Sequence, residues 1–166
     1  MLCHPRSYAS FQTRGEGTTI SITIRQATPD DLPTIVGHYG RGDSPWDPFA
    51  DLARLRNIPL EGLIVAEVEG RYAGFLYWFV GEKPWFDVGV ETYAHIVEVQ
   101  VVEEYRGQGV GKRLLAYALE RLKESLIKIV YIDTTEGNLA ARHVYESAGF
   151  RPLFRTIHYR IRDVIT

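Results

Sequence analysis

The sequence contains almost no cysteine and no long apolar segment. Cys3 is the single thiol among 166 residues, so no internal disulfide is available. This composition is typical of a reducing compartment, and we expect a cytoplasmic protein. No apolar run approaches the ~18–20 residues that a helix needs to cross a bilayer, and the first residues lack the apolar core of a signal peptide. We therefore expect no membrane partner.

The chain also lacks an excess of charge of either sign. Nineteen Lys and Arg residues stand against 21 Asp and Glu residues, which gives a formal net charge of −2. This excludes a strongly basic field of the kind that holds a nucleic-acid backbone, and we expect no nucleic-acid partner. Three of the histidines, His38, His143 and His158, show no metal-ligand spacing, so no metal is assigned.

Length and patterning predict one domain after a short leader. Residues 1–19 are polar with scattered Arg and Gly, and we interpret them as a flexible leader outside the fold. Residues 20–166 are long enough for one compact domain. Their periodicity predicts strands over residues 20–24, 63–68, 72–80, 94–102, 127–132 and 154–161, short helices over 32–39, 49–56 and 138–148, and a long helix from Gly109 to Leu126. This order indicates a mixed α+β domain with helices packed on a sheet.

The most informative segment joins the predicted strand that ends at residue 102 to the long helix. Gly107, Gly109 and Gly111 stand at alternate positions there. Glycine lets backbone amides approach a ligand without a Cβ in the way. The first amides of a helix have no internal partner and lie at its positive dipole end. The pattern therefore predicts a cradle for phosphate or pyrophosphate, to which Arg106 and Lys112 would add positive charge.

Two familiar phosphate-binding loops do not fit this segment. A Walker loop needs four residues between its first Gly and the Gly-Lys pair, followed by Ser or Thr. Here three residues separate Gly107 from Gly111, and Arg113 occupies the hydroxyl position. A dinucleotide fingerprint needs a third Gly that neither Lys112 nor Leu114 supplies. A nucleotide-binding switch is accordingly disfavoured.

The run from Arg106 to Gly111 instead resembles the Arg-x-x-Gly-x-Gly signature of the GNAT superfamily of N-acetyltransferases. Residues 138–150, which include Asn138 and Tyr145, resemble the second conserved block of that superfamily. The order of elements over residues 20–161 is similar as well. The resemblance implies the GNAT acyl-CoA N-acyltransferase fold, with a central, mostly antiparallel sheet and flanking helices.

The resemblance also implies a site. Acetyl-CoA would be the co-substrate, with its pyrophosphate on the amides of residues 107–112 and its pantetheine arm along the strand near Val99 and Val101. Asn138 would hydrogen-bond that arm, and Tyr145 would protonate the departing thiolate. The residues implied in cofactor binding are Val99, Val101, Arg106, Gly107, Gln108, Gly109, Val110, Gly111, Lys112, Asn138 and Tyr145.

The general base is less constrained by the sequence. Glu98 lies three residues before Val101, where many members of the superfamily carry an acidic residue. An apolar strand would favour the protonated form of a carboxylate, which suits a base. Glu91 and His95 are rival candidates, and the structural alternative for Glu98 is a salt bridge or a place on the solvated face of the strand. Likewise Tyr145 has an alternative as a core residue, and Asn138 as a helix cap.

These features predict direct transfer of an acetyl group from acetyl-CoA to a primary amine, on a small molecule or on a protein. The only thiol, Cys3, lies in the predicted leader, which argues against a covalent cysteine intermediate. The alternative is a non-catalytic CoA-binding sensor or regulatory module of the same fold. Aromatic residues of the elements that shape the acceptor pocket should mostly be core; they are Trp46, Phe49, Tyr77, Trp78, Trp85 and Phe86. The oligomeric state stays open, and a homodimer through the edge of the last strand is one option.

Overall fold

A computed structural model describes residues 9–15, 18–40 and 47–154, with side chains from residue 20 onward and at Ala9 and Ser10. Its helices are α1 (Leu32–Tyr39), α2 (Leu52–Leu55), α3 (Val110–Glu124) and α4 (Leu139–Ser147), and its strands are β1 (Ala9–Gly15), β2 (Thr18–Gln26), β3 (Leu63–Val68), β4 (Arg71–Glu82), β5 (Thr92–Val101) and β6 (Val130–Ile132). Short 3-10 turns precede α1, β3 and α3, at Pro29–Asp31, Leu60–Gly62 and Glu103–Tyr105. None of these helices is long and apolar enough to cross a bilayer.

The six strands form one sheet in the order β1-β2-β3-β4-β5-β6. The first four pairings are antiparallel, and β5 pairs with β6 in parallel. The mostly antiparallel sheet with flanking helices confirms the predicted fold class. Parallel pairing of β5 and β6 requires a crossover connection, which α3 provides.

Helices cover both faces of this sheet. One core cluster packs α1 and α2 against side chains of β3 and β4 such as Phe75 and Tyr77. The other packs α3, with half-buried residues of α4, against Leu76 and Trp78. Strict alternation along β4 from residue 75 to 78 thus sends successive side chains to opposite layers, as the two-residue period of a strand dictates.

The alternation of side chains between the two faces of the sheet is interrupted once in β5, and this interruption determines which face the candidate site residues occupy. Tyr77 pairs with Glu98 while Trp78 pairs with Ile96, so Val97 is an extra residue that forms a β-bulge. Beyond a one-residue insertion every side chain changes face. Ile96 lies in the α3 layer, and without the bulge Glu98 would lie there too. The bulge turns Glu98 toward α1 instead.

Several predicted boundaries differ in the structure. The helix predicted over residues 49–56 covers only Leu52–Leu55. The leader prediction is wrong for Ala9–Gly15, which forms β1 and pairs with β2, and β2 itself begins at Thr18. The strand predicted over residues 127–132 is β6, which begins only at Val130. Residues before it still belong to the end of α3, because Leu126 is left-handed and Ile127 N donates to Leu122 O. Of the predicted strand over residues 154–161, Phe154 is not in a strand and the rest lies outside the described residues.

Candidate active site

The glycine-rich turn between β5 and α3 has the conformation that its sequence suggests. Gly107 and Gly109 have φ angles of +75° and +83°, and Gly109 is the N-cap of α3. No heavy atom lies within 4 Å of a Cβ built at either residue. Glycine is therefore required here by the left-handed backbone and not by crowding. The same open space leaves room for a ligand against the backbone.

Backbone amides at the start of α3 are available to an anion. The first helical bond recorded across the cap runs from Arg113 N to Gly109 O, at 3.1 Å. Within the described part of the chain, no acceptor is recorded for the amides of residues 107–112. Orphan amides and the positive end of the helix dipole both favour a negatively charged group at this point.

Side chains hold the turn against the end of β5. Arg106 Nε donates to Val101 O at 3.1 Å, and Gln108 Nε2 donates to Glu104 O at 2.9 Å. A Cβ at Gly111 would lie 3.4 Å from Val101 Cγ2, so α3 starts in contact with the strand. The exposed Lys112 follows in the first turn of α3. Arg106 and Lys112 flank the orphan amides in the chain, and their contribution of positive charge to a bound anion stays a prediction.

The strand that leads to this turn has an open edge. β6 pairs with β5 only at Ala94, His95 and Ile96. From Val97 to Val101 the edge of β5 that faces away from β4 meets no partner strand among the described residues. Val99 and Val101 are half-buried and pack against the α3 layer. An extended ligand can pair with such an edge as an added strand does.

The second block lies on α4, beside the same layer. Asn138 is the N-cap of α4, and its side-chain oxygen accepts from Ala141 N at 3.1 Å. The capping role is thereby confirmed, and the cofactor-binding role of Asn138 stays a prediction. Tyr145 is half-buried against the α3-side core, with its ring centroid 6.3 Å from that of Phe150. Its role as an acid also stays a prediction.

Glu98 lies on the opposite face, against α1. The Tyr39 hydroxyl lies 2.8 Å from Asp47 Oδ2 and 3.1 Å from Glu98 Oε2, and it can donate its one proton to either carboxylate. Burial, followed by these two carboxylates, raises the pKa of Tyr39, so it stays a neutral donor. Sequence analysis missed both partners, because Tyr39 belongs to the apolar stripe of α1 and Asp47 to a loop.

The two rival bases lie farther from the glycine turn. At about 3.3 Å per strand residue, Glu98 is about 10 Å along β5 from Val101 and His95 about 20 Å, whereas Glu91 lies before the first residue of β5, Thr92. His95 Nε2 lies 2.9 Å from Asp133 Oδ2, and this contact lowers the pKa of Asp133. The exposed Glu91 lies 3.8 Å from Lys83 Nζ. The choice of Glu98 among the three stays a prediction.

Three of the six aromatic residues singled out in the sequence are core residues. Phe49, Tyr77 and Trp78 are 1%, 6% and 7% exposed. Phe86 packs on Tyr131, with ring centroids 4.9 Å apart, whereas Trp85 is 87% exposed. Burial and the hydrogen bond to Asp87 raise the pKa of Tyr131 to about 12. Trp46 lies outside the described residues.

Comparison with known proteins identifies the family of this fold. The family model "Acetyltransferase (GNAT) family" matches residues 28–150. An uncharacterized N-acetyltransferase of Archaeoglobus fulgidus is 29% identical over 77% of this chain and 92% of its own length. An N-alpha-acetyltransferase of Sulfurisphaera tokodaii is 29% identical over 57% of this chain and 59% of its own. The fold matches that of an aminoglycoside N-acetyltransferase solved with CoA, with a TM-score of 0.70, 22% identity, and coverage of 96% of this chain and 99% of that one. The chain therefore belongs to the acetyltransferase (GNAT) family, a family of acetyl-CoA-dependent acyltransferases.

Proposed function

We propose that this protein transfers the acetyl group of acetyl-CoA to a primary amine, by direct attack within a ternary complex. One observation carries the proposal. A left-handed glycine turn with orphan amides follows an open strand edge, and the two are joined through Val101. A pyrophosphate on the turn and an extended amide-containing arm along the edge match the two halves of this surface.

In this proposal the cofactor is held mainly by the backbone. Amides of residues 107–112 bind the pyrophosphate, with Arg106 and Lys112 adding charge. The edge near Val99 and Val101 binds the pantetheine arm, and an amide there polarises the thioester carbonyl. The side-chain amide of Asn138 retains two N–H donors after capping α4 through its oxygen, which suits it to bind the arm as well.

Two side chains would manage the protons. An alkyl amine attacks a thioester only when neutral, so its ammonium must first lose a proton. Glu98 accepts that proton on the α1 face, and the freed lone pair attacks the acetyl carbon. The carbon–sulfur bond breaks as the new carbon–nitrogen bond forms. Tyr145 donates its proton to the departing thiolate, and the second proton lost by the attacking nitrogen returns to Tyr145, so the phenol is regenerated and no covalent enzyme intermediate is needed.

The class of amine acceptor has to be determined by experiment, because the names of the similar proteins indicate two different classes. The name of the relative from Sulfurisphaera tokodaii refers to α-amino groups, whereas the structural match acts on aminoglycosides. Carboxylates of Asp47 and Glu98 on the acceptor side suit any cationic amine. A test panel therefore has to contain polyamines, aminoglycosides, amino acids and peptides with free N-termini.

The test is acetyl-CoA binding by calorimetry, followed by free-thiol release with each member of the panel. We expect saturable binding of acetyl-CoA and thiol release with one amine class. Desulfo-CoA, which keeps the pyrophosphate but cannot donate an acetyl group, controls for binding without turnover. Binding without release for any amine would favour the non-catalytic sensor, and absence of binding would refute the cradle itself.

A further inference from the structure

The face of the sheet that carries α1 holds a polar cluster around Glu98. The Tyr39 hydroxyl oxygen lies between Asp47 Oδ2, at 2.8 Å, and Glu98 Oε2, at 3.1 Å. A phenol has one proton to donate and two lone pairs that accept. In any one state Tyr39 therefore donates fully to only one of the two carboxylates. The shorter contact, to Asp47, marks the preferred acceptor.

Asp47 is held in place by its other oxygen. Its Oδ1 accepts from Phe49 N at 2.9 Å, and Phe49 is only 1% exposed. The Phe49 ring packs on Tyr39, with centroids 5.4 Å apart. The buried ring therefore fixes both the carboxylate and the phenol that donates to it.

Tyr39 is also held to the strand that carries Glu98. Gln100 Nε2 donates to His38 O at 2.8 Å and to Tyr39 O at 3.0 Å, which ties the last turn of α1 to β5. Gln100 lies two residues after Glu98, on the same face of the strand. The separation between Tyr39 and Glu98 is thus set by the main chain as well as by their side chains.

We infer that Tyr39 and Asp47 are positioning residues that make Glu98 an effective proton acceptor. Asp47 takes the hydroxyl proton of Tyr39 in a hydrogen bond, so the Tyr39 oxygen turns its lone pairs toward Glu98. When Glu98 accepts a proton from the acceptor ammonium, an N–H bond breaks and an O–H bond forms on the carboxylate. That O–H group then donates to Tyr39, and every member of the cluster is satisfied. This inference rests on the proposed function.

Glu98 shares this cluster with a second carboxylate. Asp47 and Glu98 compete for the single hydroxyl proton of Tyr39, so Tyr39 can present its lone pairs to Glu98 while it donates to Asp47. The described titratable groups that face Glu98 include Tyr39 from α1, Asp47 from the loop before α2, and Tyr77, its cross-strand partner on β4. Burial raises the pKa of Tyr77, and Tyr39 likewise stays protonated, so neither phenol adds charge.

The test is a double-mutant cycle on kcat/KM for the amine found in the panel. General-base catalysis contributes about 10²–10⁴-fold, so Glu98→Gln should lose roughly that factor. We expect Tyr39→Phe to lose about tenfold or more by itself, and nothing further in the Glu98→Gln background. Asp47→Ala should behave in the same way with a smaller loss. Acetyl-CoA affinity should stay at the wild-type value in all of them.

Tyr72→Phe is the matched control, because Tyr72 packs on the same core cluster and contacts His38, with ring centroids 5.0 Å apart. It should keep wild-type kcat/KM. Thermal unfolding monitors the fold, and Asp47→Ala carries the test if Tyr39→Phe does not fold. If the losses of Tyr39→Phe and Glu98→Gln multiply in the double mutant, or if Tyr39→Phe keeps the wild-type rate, the inference is wrong while the proposed function stands. A wild-type protein that acetylates no amine would overturn the proposed function together with it.

Discussion

The glycine turn offers a sharp test at Gly109, where two isosteric substitutions differ only in charge. Asn and Asp are the non-glycine residues that best tolerate a left-handed backbone, and Gly109 has a φ of +83°. A Cβ there meets no heavy atom within 4 Å. Gly109→Asn and Gly109→Asp should therefore fold alike, and any difference in ligand affinity reports charge.

The magnitude follows from Coulomb's law. Two unit charges 4 Å apart interact by about 1 kcal/mol in bulk water and by about 4 kcal/mol at an effective dielectric constant of 20. Since 1.4 kcal/mol is a factor of ten, Gly109→Asp should bind acetyl-CoA at least about fivefold more weakly than Gly109→Asn. Without ligand, Gly109→Asp should be the more stable of the two variants, because a carboxylate at the start of α3 stabilises the helix by about 0.3–1 kcal/mol.

Calorimetry measures the affinities, and thermal unfolding without ligand measures the stabilities. Raising the salt from 0.1 M to 1 M shortens the Debye length from about 10 Å to about 3 Å, so the affinity gap should narrow. Gly89 is the control position, because it has a φ of +97°, equally open space and a place in the loop at the far end of β5. Equal acetyl-CoA affinities for the two Gly109 variants would refute the cradle.

Three further predictions concern other parts of the chain. Tyr145→Phe should lower kcat at least about tenfold at unchanged acetyl-CoA affinity, as measured by thiol release, if Tyr145 is the acid. Gly74→Ala should lower the free energy of unfolding by about 1–3 kcal/mol in denaturant titrations, because the new Cβ would lie 2.2 Å from Gln100 O. Although burial acts the other way, hydrogen bonds from Arg25 and Thr28 lower the pKa of Asp31. Its stabilisation is therefore present above its unfolded pKa of about 3.9 and lost as the pH falls through the lower folded value. Asp31→Asn should cost about 1–3 kcal/mol at pH 7, and its unfolding curve should approach that of the wild type near pH 2.

Local patterns predicted the parts of the fold that depend on short-range chemistry. Glu69 and Gly70 both adopt positive φ angles, of 50° and 74°, as the tightest hairpin turns require. The alternation of residues 20–24 predicted the centre of β2, and the apolar spacing after Gly109 predicted α3. The glycine turn could be predicted because its left-handed conformation depends on the glycines of the turn itself and not on distant contacts.

The base side of the candidate site depends on contacts that no local pattern contains. Tyr39 and Glu98 are 59 residues apart in the sequence. The sequence nevertheless contained one indication of the bulge in β5. Strict alternation along residues 94–101 would place Glu98 and Gln100 on the buried face of Ala94 and Ile96, a conflict that a one-residue bulge removes. A polar residue that falls in phase with a buried apolar series is therefore a reason to predict a bulge.

The bulge also explains how one strand can serve both reactants. Before it, Ile96 faces the α3 layer; after it, Val99 and Val101 face that layer and Glu98 faces α1. If acetyl-CoA lies along the edge and end of β5, Glu98 reaches the reaction from the face on which α1 and the Asp47 loop stand. β5 is fixed to β4 by nine paired residues, whereas Asp47 comes from a loop. Loops vary more readily than paired strands, so changes of acceptor should be sought in the Asp47 loop, while the geometry between cofactor and base stays fixed by the sheet.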